Sequence, residues 1–182
     1  MKDWTVLDSQ IVMYALSEGN KDQDSHRKAI SIIKKHGDHL VICPLIAFEL
    51  LQNVQLNSDE VEQRTAFCSS QISPAYDLLS AQFAAEIRRR IRQERDRGNA
   101  FAGERGEGLP EFTMDVQILG WALRWNVQRV ISHDKRCILK VAPFIQEIPL
   151  VQKYRPRTQI LSFHDPSLQD QQLTLDFDSD QT

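Results

Sequence analysis

Short apolar segments separated by helical patterns are the feature that most restricts the fold of this chain. Four segments have the length and apolar character of buried strands, namely residues 4–7, 40–43, 129–132 and, as a plausible fourth, 145–150. Apolar residues between them recur with the spacing of helices, as in the stretches 77–97 and 112–126. Strands that alternate with helices predict an α/β fold in which a parallel sheet of four to five short strands is covered by helices on both faces.

The length of 182 residues suits one domain with an additional segment at one end. We expect that domain to span residues 1–150. Residues 151–182 are polar, rich in Gln and Asp, and carry more acidic than basic side chains. Such a composition is typical of an extended or disordered C-terminal tail.

Charge and cysteine content narrow the functional classes. The formal net charge of −3 is not typical of nucleic-acid-binding proteins, which are more often basic. Three widely separated cysteines form no Cys-x-x-Cys pair, so zinc ribbons and redox motifs are unsupported. The sequence has neither a signal-peptide pattern nor the roughly 20-residue apolar run of a membrane helix. We therefore expect a cytoplasmic protein that does not associate with membranes.

Four acidic residues lie at the ends of apolar segments: Asp8, Glu49, Asp115 and Asp134. Asp8 directly follows one predicted strand, and Asp134 lies just past another. The carboxyl ends of parallel strands share one edge of a sheet, where ligands bind. Glu49 is the only charge between Pro44 and Leu51, and an isolated buried carboxylate is costly. Crowded carboxylates repel one another and attract hard divalent cations. The pattern therefore predicts a metal-dependent enzyme.

Each of these carboxylates also has a purely structural explanation. Asp8 can cap the helix that follows it, and Asp134 can stabilise a turn. Asp115 can interact with the dipole in the first turn of a helix that begins near Phe112. Glu49 can be a half-exposed helix residue. The combination is more informative than any single member, because the two strand-end residues already share an edge.

At these residues the chain resembles the PIN-domain nucleases, especially the toxin ribonucleases of the VapC type in type II toxin–antitoxin systems. The matching pieces are Val6-Leu7-Asp8-Ser9 with its apolar helix, the segment around Glu49, the helix opening at Asp115, and Val130-Ile131-Ser132-His133-Asp134. In order and spacing, they cover roughly residues 4–150.

The resemblance implies a three-layer α/β/α fold and a catalytic site in which Asp8, Glu49, Asp115 and Asp134 bind one or two Mg²⁺ or Mn²⁺ ions. Ser132 would support the metal or its water. The enzyme would be an endoribonuclease that hydrolyses RNA phosphodiester bonds and leaves a 3′-hydroxyl and a 5′-phosphate. Its expected partners are the RNA substrate, a second copy of the chain in a homodimer, and a cognate antitoxin protein.

Two further segments are candidates for partner contacts. The long helix ends in a basic stretch, in which Arg88, Arg89, Arg92 and Arg95 are candidates for contacts with the RNA backbone. The interleaved acidic residues fit a solvated helix face as well. In the tail, Gln172, Leu173, Leu175 and Phe177 form an apolar island that resembles the peptides with which bacterial proteins bind the replication sliding clamp. A disordered tail, or a strand that pairs with a partner, explains the same residues.

Alternatives from other classes stay open at this point. One is a DNA-directed nuclease of the same fold with a clamp-binding tail. Another is a non-catalytic PIN-like interaction module, which predicts no metal dependence.

Two other enzyme classes are excluded by the sequence. A haloacid-dehalogenase-type phosphatase needs an acid two residues after Asp8, where this chain has Gln10. A P-loop nucleotidase needs a glycine-rich loop that ends in Lys-Ser or Lys-Thr, which the sequence lacks.

Overall fold

A parallel sheet of three short strands forms the centre of the fold in the computed structural model. The strands are β1 (Thr5–Leu7), β2 (Arg129–Ser132) and β3 (Gln159–Ser162), in the order β1-β2-β3. Val6 pairs with Val130, which in turn pairs with Ile160, so all three strands end at the same edge. The structure describes residues 3–17, 22–52, 58–98, 101 and 108–168.

Helices make up most of the described chain. They are α1 (Ser9–Leu16), α2 (Gln23–His36), α3 (Pro44–Leu51), α4 (Ser58–Ser70), α5 (Leu78–Asp96), α6 (Gly108–Arg124), α7 (Ile138–Val141) and α8 (Pro149–Tyr154). Short 3-10 helices cover Gly37–His39, Ala142–Glu147 and Pro166–Leu168. The strands and the inner faces of these helices share one hydrophobic core. The prediction of a mixed α/β protein with a parallel sheet is therefore confirmed.

The sheet has fewer strands within the described residues than the four to five predicted. The segment 40–43 forms only isolated bridges, from Leu40 to Thr5 and from Val41 to Ile72. It still lies against β1, because the amide of Val41 donates to the carbonyl of Thr5 at 2.9 Å. The segment 40–43 therefore lies beside β1, as a strand there would, but it forms only isolated bridges, so the prediction of a regular strand was wrong.

The predicted strand at residues 145–150 is also wrong. Ile145 lies in a 3-10 helix, and Pro149 begins α8. Proline suits the first turn of a helix, where its missing amide hydrogen would have no partner anyway. Ile145, Ile148 and Val151 are all buried at a spacing of three residues, which is helical. A short apolar run alone does not distinguish this arrangement from a buried strand.

The third strand lies instead beyond residue 150, in the segment predicted to be an extended or disordered tail. β3 pairs with β2 along its whole length, and the amide of Phe163 donates to the carbonyl of Ser132 at 2.7 Å. Phe163 and Leu168 are buried in the core. The predicted division at residue 150 is therefore wrong, because residues 151–168 belong to the fold. The clamp-like residues Gln172, Leu173, Leu175 and Phe177 lie outside the described residues.

Helices α5 and α6 make the most extensive helix contact in the described structure. α6 begins at Gly108, earlier than the start near residue 112 that the sequence predicts. Pro110 does not prevent this start, because the first four amides of a helix have no partner within it. At the centre of the contact Gly120 lies directly against the backbone of α5.

Replacing Gly120 with alanine should destabilise the fold by at least about 2 kcal/mol, because overpacking in a rigid contact is costly. A Cβ there would lie 2.6 Å from the carbonyl oxygen of Ser80 and 2.7 Å from the amide of Ala84. Urea unfolding measures the loss. Gly37→Ala is the control, since nothing lies within 4 Å of its Cβ position. A Gly120→Ala protein as stable as that control would contradict the close approach.

None of the helices in the described part of the chain combines the length and the apolar character needed to cross a membrane.

Candidate metal centre

The end of β1 places Asp8 beside the end of β2. Asp8 is only 8% exposed, and its Oδ2 accepts a hydrogen bond of 2.7 Å from the hydroxyl of the fully buried Ser132. The same hydroxyl accepts a 2.9 Å bond from the amide of Asp134. Ser132 thus links the two strand-end acids, which the sequence predicted to share this edge.

Asp134 is held by the backbone that follows it. Its Oδ1 accepts from the amide of Arg136, and its Oδ2 accepts from the amides of Cys137 and Ile138, at 2.8–2.9 Å. An ionised carboxylate offers about four lone-pair sites. Three are used by these amides, so one direction on Oδ1 is left for another ligand. The turn-forming role considered for Asp134 is therefore present, and it leaves this direction open.

Asp115 projects from α6 toward Asp134. The ligand atoms of Asp115, Asp134 and Cys137 all lie within 4.8 Å of one another, which is close enough for one metal ion to contact all three. Asp115 lies two turns into α6, which begins at Gly108. The interpretation of Asp115 as a first-turn dipole partner is therefore wrong.

Glu49 completes the group from α3. It is half-buried and receives a hydrogen bond from Ser9. The hydroxyl of Ser9 also lies 3.4 Å from Oδ1 of Asp8, and because a serine has one proton it donates to one acid at a time. Burial raises the pKa of Glu49, the bond from Ser9 opposes that rise, and the charge of Asp8 adds to it. We call Asp8, Glu49, Asp115 and Asp134 the acidic cluster.

The pKa of Asp115 shows that the acidic cluster acts as one electrostatic unit. Burial is the largest cause, and together with the negative charges of Asp134, Asp8 and Glu49, in that order, it raises this pKa to about 7. Arg136 is the cation that opposes them. The structure therefore brings all four sequence-predicted acids together, at a density of negative charge that favours either a bound proton or a cation.

Helix capping does not account for the side chain of Asp8. Asp8 occupies the N-cap position of α1, but its carboxylate makes no capping hydrogen bond to that helix. It is instead directed across the sheet edge to Ser132. A buried carboxylate with so few donors needs another favourable partner.

The predicted RNA-contacting arginines lie on α5, and two of them have acidic partners. Arg89 pairs with Glu86 at 3.5 Å, and Arg95 pairs with Asp96 at 3.2 Å. Arg88 and Arg92 line a cavity of about 320 Å³ together with Ala85 and Arg89. No ion pair within the described residues joins these arginines to the acidic cluster. Their contact with RNA stays a prediction.

Sequence reasoning missed three residues near the acids: Ser9, Arg136 and Cys137. In the sequence, Cys137 was considered only as one of three widely separated cysteines; in the structure it is buried and forms no disulfide with another described cysteine. Its position three residues after Asp134 was the available signal, because the turn that Asp134 stabilises brings a residue at that distance back toward the acid. Ser9 was visible only as the start of a helix.

Replacing Ser132 with alanine should lower the free energy of unfolding by about 1–3 kcal/mol, because a buried carboxylate loses its donor. Urea unfolding measures the loss, with the exposed helical Ser69→Ala as control. Equal losses for the two variants would show that the Ser132 hydroxyl does not support Asp8.

The donor set fits a hard divalent cation. The acidic cluster supplies carboxylate oxygens from four separate elements, and oxygen is the ligand that Mg²⁺ and Mn²⁺ prefer. Cys137 adds a sulfur that would also admit softer metals. A divalent ion would relieve the repulsion that raises the pKa of Asp115.

No protein-family model matches the sequence, and the curated proteins include no significant match to it.

Proposed function

We propose that this chain is a metal-dependent endoribonuclease with a PIN-like, three-layer α/β/α fold, acting as the toxin of a toxin–antitoxin pair. The observation that carries the proposal is the grouping of the acids: ligand atoms of Asp115, Asp134 and Cys137 lie within 4.8 Å of one another, and Asp8 and Glu49 are near enough to act on Asp115 electrostatically. The location supports it as well, since the acids gather at the carboxyl edge of a parallel sheet, where ligands bind in such folds. The described helices are compatible with the three-layer arrangement.

Asp8, Glu49, Asp115 and Asp134 would hold one or two Mg²⁺ or Mn²⁺ ions. When bound, such an ion lowers the pKa of water and neutralises charge that builds on a phosphate. The residues of the chain orient the ligands. Ser132 fixes the orientation of Asp8, and three backbone amides fix that of Asp134. Such preorganisation keeps the ligand geometry from relaxing as charge develops.

Asp115 has a second role in this proposal. With a pKa of about 7, it is largely protonated below neutral pH. A metal ligand must be deprotonated, so protons compete with the cation for this site. The rate of cleavage should therefore increase as the pH rises from about 6 to about 8, because the Asp115 carboxyl must lose its proton before it can bind the metal.

The substrate and partners belong to the same proposal. We infer that the chain acts on RNA, assembles as a homodimer and is bound by a cognate antitoxin. Arg88 is the strongest of the predicted backbone contacts, because it lines a cavity with Arg89 and Arg92, where the guanidinium groups would attract phosphates.

Cleavage of labelled single-stranded RNA and DNA of one sequence tests the proposal, with Mg²⁺, with Mn²⁺ and with EDTA. We expect RNA to be cut with either metal, not with EDTA, to 3′-hydroxyl and 5′-phosphate ends. Faster cutting of DNA would favour the DNA-directed nuclease. A folded protein that cuts neither strand with either metal would favour the non-catalytic interaction module.

A further inference from the structure

Beside the acidic cluster lies a group of rings that none of the roles above uses. It consists of Tyr14, His133, Phe163 and His164, with Lys28 next to them, and we call it the aromatic rim. His133 directly follows β2, and Phe163 and His164 directly follow β3. Tyr14 comes from α1. The rim therefore lies at the same carboxyl edge of the sheet as Asp8 and Asp134.

The rings contact one another around a buried centre. Phe163 is fully buried, and Tyr14 stacks against it with ring centroids 6.0 Å apart. His133 lies edge-on to Phe163 at 5.7 Å and to Tyr14 at 5.9 Å. His164 lies 5.1 Å from His133 and is exposed. Packing explains Phe163, but it does not require an exposed imidazole at the outer end of the group.

The rim and the acidic cluster are continuous along the chain. His133 lies between Ser132, which binds Asp8, and Asp134. Gln10 follows Asp8 by two residues, and its amide donates to the hydroxyl of Tyr14 at 3.0 Å. His133 is therefore adjacent in sequence to Asp134, and one hydrogen bond joins Tyr14 to the segment that begins at Asp8.

The charges around the rim favour a ligand with both an aromatic and an anionic part. The ammonium of Lys28 lies 5.1 Å from the centre of the Phe163 ring, and Asp165 is the acid that acts on it. Lys135 is a second cation that acts electrostatically on His164. Desolvation lowers the pKa of His164, and the charges of His133, Lys28 and Lys135 lower it further, against Asp22. The His164 ring is thus a neutral, flat surface at neutral pH, with cations beside it.

We propose that the aromatic rim binds an unpaired nucleotide of the substrate strand next to the scissile phosphate. His164, with His133 behind it, stacks on the base, and Lys28 and Lys135 attract the adjacent phosphate. Every base has a face that can stack, so this contact selects single strands without selecting sequence. The proposal rests on the proposed nuclease function and adds the class of strand that the site accepts.

Binding measured apart from cleavage tests the rim. The probe is a fluorescein-labelled single-stranded RNA 12-mer of mixed sequence, with a DNA strand of the same sequence as second probe and Ca²⁺ in place of Mg²⁺. We expect His164→Ala to weaken binding by about tenfold, as loss of one stacked base does. His164→Phe should restore it to within about twofold, because a phenyl ring stacks as well. The control is His39→Ala, an exposed histidine that precedes the Leu40 bridge at the opposite edge of the sheet.

Cleavage by the same variants separates this inference from the proposed function. We expect His164→Ala to raise KM about tenfold and to leave kcat within about twofold. If the wild type binds and cuts RNA and His164→Ala does the same, the rim does not bind the strand and the nuclease proposal stands. If His39→Ala weakens RNA binding as much as His164→Ala does, the proposal that the aromatic rim binds a nucleotide is also wrong. If the wild type neither binds nor cuts either strand, both proposals fall together.

Discussion

Replacing Asp115 with asparagine should stabilise the metal-free protein at pH 7.5 by up to about 4 kcal/mol. Burial and three neighbouring acids raise the pKa of this carboxyl to about 7 from its ordinary 3.8. The folded wild type must therefore ionise Asp115 against that repulsion above neutral pH. An amide of nearly the same shape removes the charge and the cost together.

The stability that Asp115→Asn gains over the wild type should depend on pH. The folded pKa of Asp115 lies above the unfolded one, so its favourable contribution is complete below about pH 4 and is lost as the pH rises through about 7. The stability of the wild type relative to Asp115→Asn should fall across that window. Urea unfolding in EDTA between pH 4 and pH 8 measures the difference. Asp38→Asn, at an exposed position far along the chain, is the control for a lost charge. A difference that does not change with pH would mean that neither burial nor the neighbouring acids raise the pKa of Asp115.

Replacing Asp8 with asparagine should reduce metal-dependent RNA cleavage by about a thousandfold, which corresponds to about 4 kcal/mol of lost transition-state stabilisation. Asp8 is nearly fully buried, is oriented by Ser132, and acts electrostatically on both Glu49 and Asp115. An asparagine there keeps the shape but gives up the negative charge that would help to bind the cation. Initial rates on labelled single-stranded RNA at saturating Mn²⁺ measure the effect.

Two checks make the loss in Asp8→Asn specific. In EDTA, the free energy of unfolding of Asp8→Asn should be at least as large as that of the wild type, because one of four mutually repelling charges is gone. The Asp38→Asn protein should cut RNA at the wild-type rate. If Asp8→Asn keeps more than a tenth of the wild-type rate of RNA cleavage, the Asp8 carboxylate is not required for metal-dependent catalysis.

The strand ends were the part of the site that the sequence could predict. β1 and β2 are short buried strands, and parallel strands end at one edge, so Asp8 and Asp134 were expected to meet there. Glu49 was identified because it interrupts an otherwise apolar helix. The depth of Asp115 within α6 was missed, because Pro110 was expected to precede the helix whereas it lies in its first turn.

Features that depend on long-range packing were not predictable in this way. β3 is an edge strand that is exposed or half-buried along its length, so it lacks the apolar run by which a central strand is recognised. The predicted strand at 145–150 failed for the opposite reason, since its apolar residues pack as short helical turns. The aromatic rim joins residues from α1, α2 and the ends of two strands, and no local pattern links them. The contact of Cys137 with the acids depends on a turn that only the folded chain forms.

Proton release on metal binding tests most directly whether the acidic cluster is a metal site. The measurement is calorimetric titration of the metal-free protein with Mn²⁺ at pH 6.5, in two buffers of different ionisation enthalpy. Because the pKa of Asp115 is about 7, this carboxyl is mostly protonated there and must lose its proton to become a ligand. We expect one or two ions to bind with release of most of one proton, and Asp115→Asn to abolish that release. Absence of Mn²⁺ binding, or the same proton release from wild type and Asp115→Asn, would contradict the account.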